Sequence, residues 1–210
     1  MYLYQRSFNC SGSPGVAPHI IGELTDLAVE LCDLDISLWR GVAGVADLEF
    51  RWTIWCGSLD HARQSLDVLR GDRRVMALLE ELLAAGWDGQ SIDHIRATSG
   101  LATPPTWRQG SFIEDRALSI IGSDVTAAHR WLERLAEAGR IAPFNGDVPV
   151  IDRWASTSTC HLLRSASSID AFAEADARRN DNAQWRETRR HAGRHFDLTN
   201  SIATLWRRSR

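Results

Sequence analysis

Hydrophobic and polar positions alternate along the chain with two different periods. Between positions 48 and 56 every second residue is apolar: Leu48, Phe50, Trp52, Ile54 and Cys56. A period of two is typical of a strand with one buried face, and polar residues such as Arg51 and Thr53 occupy its other face. Between positions 17 and 34 the apolar residues recur every three or four positions, which predicts a helix.

The same two periods predict the order of elements over the whole chain. The predicted strands are 2–10, 37–45, 48–56, 92–98, 107–114, 148–155, 157–164 and 198–206. The predicted helices are 17–34, 59–85, 123–139 and a long helix that begins after Ser168. Gly71 and Asp72 interrupt the second of these helices, and residues 180–182 interrupt the last. We therefore expect both helices to be bent or broken.

Local matches between the two halves of the chain indicate an internal duplication. Ser58 and Ser168 supply the same capping signal at the same place, and the interruptions at 71–72 and 180–182 follow at nearly equal distances. Because the matches occur in the same order and in the same types of element, we interpret the chain as two diverged β-α-β-β-α-β units. The predicted boundaries are 1–100 for the first unit, 101–106 for a linker and 107–210 for the second unit.

This order of elements predicts an α+β fold. A β-α-β-β-α-β unit is the ferredoxin-like arrangement, an antiparallel sheet with both helices on one face. The other face of the sheet stays uncovered in a single unit. Two units in one chain can bury these faces against each other, so we expect a barrel-like core with the helices outside.

In this topology, and in its strands bearing Trp and Arg, the chain resembles the dimeric α/β-barrel superfamily. That superfamily includes antibiotic-biosynthesis monooxygenases, polyketide cyclases, NIPSNAP-type proteins and haem-using relatives. The resemblance covers nearly the whole chain, although no diagnostic motif accompanies it. It implies a ligand cavity between sheet and helices, with His, Asp, Tyr, Arg or Trp on the strands as the reacting groups.

The basic residues are all arginine, since the chain contains no lysine. Codon bias in a GC-rich genome, such as that of an actinobacterium, accounts for this. The formal net charge is −3, yet the segment from Arg178 to the end contains nine arginines and only three acidic residues. An acidic total and interspersed carboxylates favour a solvated helical face over a nucleic-acid interface. We expect no nucleic-acid partner.

Nothing in the sequence indicates a membrane or an oxidising compartment. No apolar run approaches the roughly 18 residues that cross a bilayer, and the first residues lack the pattern of a signal peptide. The four cysteines are scattered, and Cys32 and Cys56 lie on apolar stripes where buried thiols are common. We expect a cytoplasmic protein with no membrane partner.

Candidate chemistry lies on the predicted strands. The candidate catalytic residues are His161, Asp152 and His94, because a histidine oriented by a carboxylate is a general base near neutral pH. The candidate substrate-binding residues are those that can hold an enolate or enclose an aromatic ring: Tyr4, Arg6, Arg51, Trp52, Arg96 and Trp154. The alternative interpretation of these side chains is purely structural, and the nine tryptophans can equally fill a wide barrel.

His191 and His195 lie four residues apart, a spacing that binds a metal when it falls on one helical face. No glutamate completes an H-E-x-x-H motif, and Gly193 weakens a helix there, so we expect no metal site. The chain also lacks a P-loop, a G-x-G-x-x-G fingerprint and a nucleophile elbow. Their absence disfavours nucleotide-dependent and hydrolytic chemistry.

The sequence thus favours a small-molecule enzyme of bacterial secondary metabolism. The leading hypothesis is a cyclase or cofactor-independent monooxygenase that acts on an aromatic or polyketide-like substrate by acid–base chemistry, with no cofactor. Two alternatives stay open: a haem-binding enzyme of the same superfamily, and a non-catalytic binding or scaffold protein. A homodimer is compatible with each of them.

Overall fold

The structure, a computed structural model, describes residues 1–11, 15–32, 34–46, 48–98, 107, 111–140, 148–152 and 159–210. Its strands are β1 (Tyr2–Cys10), β2 (Ile36–Ala43), β3 (Glu49–Cys56), β4 (Trp87–Thr98), β5 (Phe112–Ile120), β6 (Val148–Asp152), β7 (Thr159–Ala166) and β8 (Phe196–Arg208). Its helices are α1 (Val16–Cys32), α2 (Leu59–Gly71), α3 (Arg73–Ala84), α4 (Val125–Ala138), α5 (Ile169–Asp181) and α6 (Ala183–Arg190). A 3₁₀ turn, Ala192–Arg194, connects α6 to β8.

Strand pairing shows that the two halves have the same topology. The strands follow one another around a closed barrel in the order β1-β3-β2-β8-β5-β7-β6-β4, and each pair is antiparallel. Each unit has the ferredoxin-like order, β4-β1-β3-β2 in the first and β8-β5-β7-β6 in the second. The predicted α+β fold and its duplication are confirmed. Among the described helices, none combines the length and apolar character that a bilayer span needs.

The broken helix of each unit is fixed by local capping. Ser58 accepts a hydrogen bond from the backbone N–H of His61 at the start of α2, and Ser168 does the same for Ala171 in α5. One helix later, Asp72 accepts from the N–H groups of Arg74 and Val75, and Asn182 accepts from that of Trp185. Both predicted breaks are therefore confirmed, because a new N-cap begins a second helix at each.

Successive side chains of each strand point to opposite faces of the sheet, so the hydrophobic core has two layers. One strand face points into the barrel, where tryptophans and aliphatic residues pack together: Leu3, Trp39, Trp55, Trp107, Ile113, Val148, Val150, Leu163 and Trp206. The other face packs against the helices. In the first unit this outer layer is filled by Phe50, Trp52 and Ile54 against α1, as their alternation predicts. The indole N–H of Trp52 donates to the Thr25 hydroxyl at 2.8 Å.

Some element boundaries differ from the prediction. β5 spans Phe112–Ile120, whereas the sequence predicted a strand over 107–114; its pairing with β7 and β8 continues beyond Glu114. His191 and His195 do not share a helical face, since α6 ends at Arg190 and a 3₁₀ turn around Gly193 follows. The predicted linker at 101–106 lies outside the described residues.

Candidate functional site

A cavity of about 430 Å³ lies between the sheet and the helices of the second unit. Its walls come from β5, β7 and β8 on one side and from α4, α5 and α6 on the other. Much of the described lining is apolar or aromatic: Leu118, Trp131, Leu135, Leu162, Trp185 and Phe196. Its volume lies within the range of about 300–1,000 Å³ that is usual for small-molecule sites.

Two tryptophans form rigid walls of this cavity. The indole N–H of Trp131 on α4 donates to the backbone carbonyl of Thr188 at 3.0 Å, and its ring lies 5.3 Å from that of Phe196. Trp185 on α6 packs against Gly139 at the end of α4, where a β-carbon would lie only 2.8 Å from the indole ring. The absence of a side chain at Gly139 therefore lets this ring approach the backbone.

Strand alternation directs charged groups into the same cavity. Glu114 and Arg116 of β5 face it, and so does Arg164 of β7, which lies directly opposite Glu114 in the sheet. Glu114 accepts from Arg116 at 2.6 Å and also from Arg164, which binds Asp176 of α5 as well. Burial alone would lower the pKa of Arg164, but the carboxylates of Asp176 and Glu114 outweigh it and raise the pKa. Arg164 is therefore charged.

A second group of arginines comes from α5 and α6. Arg179 is buried; its Nε donates to the carbonyl of Gly139 at 3.3 Å, and its guanidinium lies 5.0 Å from the Trp185 ring. Arg189 is exposed at the edge of the cavity and donates to the side-chain oxygen of Asn180 at 3.4 Å. The described lining contains four arginines and two carboxylates, so the formal net charge of the cavity wall is +2. Such a cavity favours an anion with a large apolar surface.

A different charged cluster lies inside the barrel. One Asp115 oxygen is 3.0 Å from both Arg51 and Arg96, and the other is 2.7 Å from Nδ1 of His161. Burial alone would raise the pKa of Asp115, but Arg96, His161 and Arg51 outweigh it and hold the pKa well below its usual range. The guanidinium of Arg51 also lies 3.9 Å from the Trp206 ring. The cluster joins the first unit to the second.

The structure thus brings three of the predicted site residues together, namely Arg51, Arg96 and His161. It places them on the barrel side of the sheet, whereas the cavity lies on the helix side. The carboxylate that contacts His161 is Asp115. Asp152 lies opposite Arg96 in the pairing of β6 with β4, and its side chain is outside the described part of the chain.

None of the other described site candidates lines the cavity, and His94 shares the barrel-facing side of β4 with Arg96. His94 is half-buried on β4, opposite Gln5 of β1. Arg6 forms a two-point ion pair with Asp93 at 2.7 Å, on the helix side of the first unit. Tyr4 is buried beside this pair, and burial raises its pKa above the usual range. Trp52 belongs to the first unit's core. Trp154 lies outside the described residues.

Sequence reasoning missed Glu114, Asp115 and Arg164. A signal was present, because charged residues 114–116 precede the alternating run Ala117-Leu118-Ser119-Ile120. Reading residues 112–120 as one strand assigns Asp115 to the face of Ile113 and Glu114 to that of Leu118. Arg164 follows Leu162 on one face of β7 in the same way.

Comparison with known proteins gives the fold class. No protein-family model matches the sequence, and no curated protein matches it. Solved structures do match over the whole chain, and they have the ferredoxin-like α+β fold of dimeric α/β-barrel proteins. The chain has this fold, with both units in one polypeptide.

Three matching structures illustrate the range of that fold. A candidate monooxygenase from Fusobacterium nucleatum superposes with a TM-score of 0.71 at 5% identity, covering 100% of this chain and 92% of that one. An anthrone oxidase-like protein gives 0.63 at 9% identity, covering 99% and 91%. A haem-binding protein from Thermus thermophilus gives 0.55 at 11% identity, covering 99% and 90%. At these identities the likeness shows the fold alone.

Because one of these matching structures is a haem-binding protein, the fit of the cavity to a haem is of interest. Haem iron is held by His, Cys, Met or Tyr in the well-characterised classes of haem protein. None of the described residues that line the cavity is of these types. The nearby ring of His195 packs against Trp131 and Phe196 without lining the cavity. The described lining therefore does not fit a haem.

Proposed function

We propose that the protein is a small-molecule enzyme that binds an aromatic or polyketide-like substrate in the cavity of the second unit. The observation that carries this proposal is the combination of tryptophan walls with an excess of arginines in one enclosed space. A planar ring can pack against Trp131, Trp185 and Phe196, which line the cavity. The arginines favour a substrate that is anionic or that becomes anionic during the reaction.

The reaction that suits this cavity begins with removal of an acidic C–H or O–H proton. Glu114 is a buried carboxylate in the lining and accepts this proton in our proposal. The electron pair left on the substrate forms an enolate or phenolate, which the guanidinium groups stabilise. Preorganised charges of this kind act strongly in a site shielded from water.

If O₂ is the second substrate, it reacts with the same anion, and the protein is then a cofactor-independent monooxygenase. For a methylene group flanked by aromatic rings, as in anthrone, one oxygen atom becomes the new carbonyl of the quinone. The two hydrogens of the methylene leave with the other oxygen atom as water, so one O₂ is consumed for each quinone formed. A cyclase would instead direct the same carbanion at a carbonyl carbon of its own substrate, without O₂.

The barrel cluster is the second place where acid–base chemistry is possible. The 2.7 Å contact between His161 and Asp115 is the arrangement of an oriented general base. Under this alternative His161, with Asp152 and His94, retains the catalytic role that the sequence suggested. Arg51 and Arg96 would then hold the anion. Tyr4, Arg6 and Trp52 lie on the helix side of the first unit, so a substrate that they contact would lie on that face. Trp154 stays a proposed substrate contact. We place this alternative second because Trp39, Trp55, Trp107 and Trp206 occupy the barrel around the cluster.

The test is an oxygen-electrode assay with anthrone, run in the presence of a metal chelator and without added cofactor. We expect O₂ uptake that matches anthraquinone formation one to one and exceeds the uncatalysed rate by at least about 100-fold, within the range of general acid–base catalysis. Binding of anthrone without any turnover would support a cyclase or a binding protein. Loss of anthrone binding in a cavity-filling variant such as Leu162→Trp would assign the ligand to this cavity. Unchanged binding in that variant would contradict the proposed site.

We further propose that the enzyme acts in the cytoplasm of a bacterium, in secondary metabolism, as a monomer or homodimer. Colocalised biosynthetic genes would support the pathway assignment, and sedimentation equilibrium measures the oligomeric state.

A further inference from the structure

The arginines of the second-unit cavity differ in what they contact. Arg116 and Arg164 are both bonded to Glu114, and Arg164 also to Asp176, so their charges are largely matched by carboxylates. Arg179 is buried and held by the carbonyl of Gly139 and the face of Trp185. Each of these three has a structural partner that keeps it in place.

Arg189 is different from the other three. Its side chain is exposed, and its hydrogen bond within the described part of the chain goes to the neutral amide of Asn180. At 3.4 Å this bond is longer than the usual range of about 2.7–3.2 Å, and it is therefore weak. Asn180 lines the cavity as well, so the contact holds the guanidinium of Arg189 beside the opening. A ligand oxygen can replace the Asn180 oxygen as the hydrogen-bond acceptor of Arg189 with little loss of binding energy.

The position of Arg189 suits an anionic group at the mouth of the cavity. The exposed members of the lining include Asn180, Arg189 and Leu198, and they mark the side that faces water. Trp131, Trp185 and Phe196 are buried and mark the interior. A ligand with its rings among these aromatic residues therefore reaches Arg189 with the end that remains closest to solvent.

We infer that the substrate of this cavity carries a permanently anionic group, of the carboxylate class, and that Arg189 binds this group at the mouth. The inference rests on the proposed function only in taking the cavity as the substrate site. An anion at this position keeps part of its hydration while the guanidinium forms a two-point contact with it. The substrate class is thus a planar aromatic acid, with the reacting carbon deeper in the cavity near Glu114.

The test compares two ligands of the same shape, anthraquinone-2-carboxylate and anthraquinone-2-carboxamide, by calorimetry at pH 7. We expect the carboxylate to bind about tenfold more tightly to the wild type, a preference that a partly exposed charged contact supplies. Arg189→Gln should reduce this preference to less than about twofold without changing the affinity for the carboxamide.

Arg186→Gln is the matched control. Arg186 lies on the same helix, is also exposed and donates to the backbone carbonyl of Asn180, but it is not among the residues that line the cavity. Its replacement should leave the preference for the carboxylate unchanged. Equal loss of preference in both variants would mean that general positive charge, rather than Arg189, attracts the ligand, and would overturn the inference.

The inference and the proposed function can fail separately. If anthrone is oxidised but the carboxylate binds no better than the carboxamide, the anion site is wrong and the proposed function stands. If the preference persists in Arg189→Gln, the anion is bound elsewhere, and the assignment to Arg189 is wrong. If neither anthrone nor either anthraquinone binds, both proposals are overturned.

Discussion

Nδ1 of His161 on β7 lies 2.7 Å from Oδ1 of Asp115 on the neighbouring strand β5. The second oxygen of Asp115 is 3.0 Å from Arg51 and Arg96, which belong to the other unit. The carboxylate thus links both units inside the barrel, where side chains rather than water surround the charges. In such surroundings an ion pair is screened little, and loss of one member leaves the others poorly solvated.

Asp115→Asn should therefore destabilise the fold by about 3–5 kcal/mol, because the guanidinium groups of Arg51 and Arg96 would face a neutral amide. Urea denaturation measures this difference. Asp67→Asn is a suitable control, since Asp67 pairs with Arg63 and Arg70 on the exposed surface of α2 and should cost less than about 1 kcal/mol. A cost for Asp115→Asn as small as that of the control would show that the cluster does not hold the units together.

The low pKa of Asp115 also predicts how its contribution to the free energy of unfolding depends on pH. The folded-state pKa is lowered from an unfolded value of about 3.9, so the stabilisation is complete above about pH 4 and is lost as the pH falls towards the folded-state pKa. The gap in unfolding free energy between wild type and Asp115→Asn should therefore shrink as the pH falls below about 4. Urea titrations at a series of pH values measure it. A gap that widened as the pH fell below about 4 would contradict this sign.

Gly139→Ala should disturb the cavity without replacing any charged side chain. The added methyl would lie 2.8 Å from the buried ring of Trp185, which has to shift, at a cost of about 1–3 kcal/mol. Ligand affinity should fall together with stability, because Trp185 lines the cavity. Gly193→Ala is the matched control, since a β-carbon there meets no atom within 4 Å. Equal effects of the two substitutions would mean that the contact with Trp185 is unimportant.

The fold follows from short-range features that the sequence displays directly. Alternation at Phe50, Trp52 and Ile54 identifies a buried strand face, and Ser58 and Ser168 identify equivalent helix starts. These signals depend on residues that are close in sequence, so they can be recognised without knowledge of the tertiary structure. The repeat then fixes the topology, because two ferredoxin-like units have few ways to bury their open sheet faces.

The candidate site could be predicted only in part. Arg51, Arg96 and His161 were identified as functional candidates from their residue types and strand positions, and they do meet. Their partner Asp115 was not, because the boundary of β5 was set before it. The cavity depends on contacts between α4 and α6, such as Trp131 with the carbonyl of Thr188, which are 57 residues apart. No local pattern reveals that the helices of the second unit leave this space.

The last prediction separates the two places where acid–base chemistry has been proposed. Glu114 and His161 lie on adjacent strands but on opposite faces of the sheet, Glu114 towards the cavity and His161 towards the barrel interior. If Glu114 accepts the substrate proton, Glu114→Gln should lower kcat for anthrone oxidation by about 10²–10⁴-fold. The amide is nearly isosteric, so KM should change far less than kcat.

His161→Gln is the counterpart, because glutamine can still donate a hydrogen bond to Asp115. We expect this variant to lose stability, while kcat for each folded molecule stays within about threefold of the wild-type value because His161 does not face the cavity. Circular dichroism at the assay temperature gives the folded fraction, which separates inactivity from unfolding. The reverse pattern, with His161→Gln folded but inactive and Glu114→Gln active, would move the catalytic site into the barrel and restore His161 as its base.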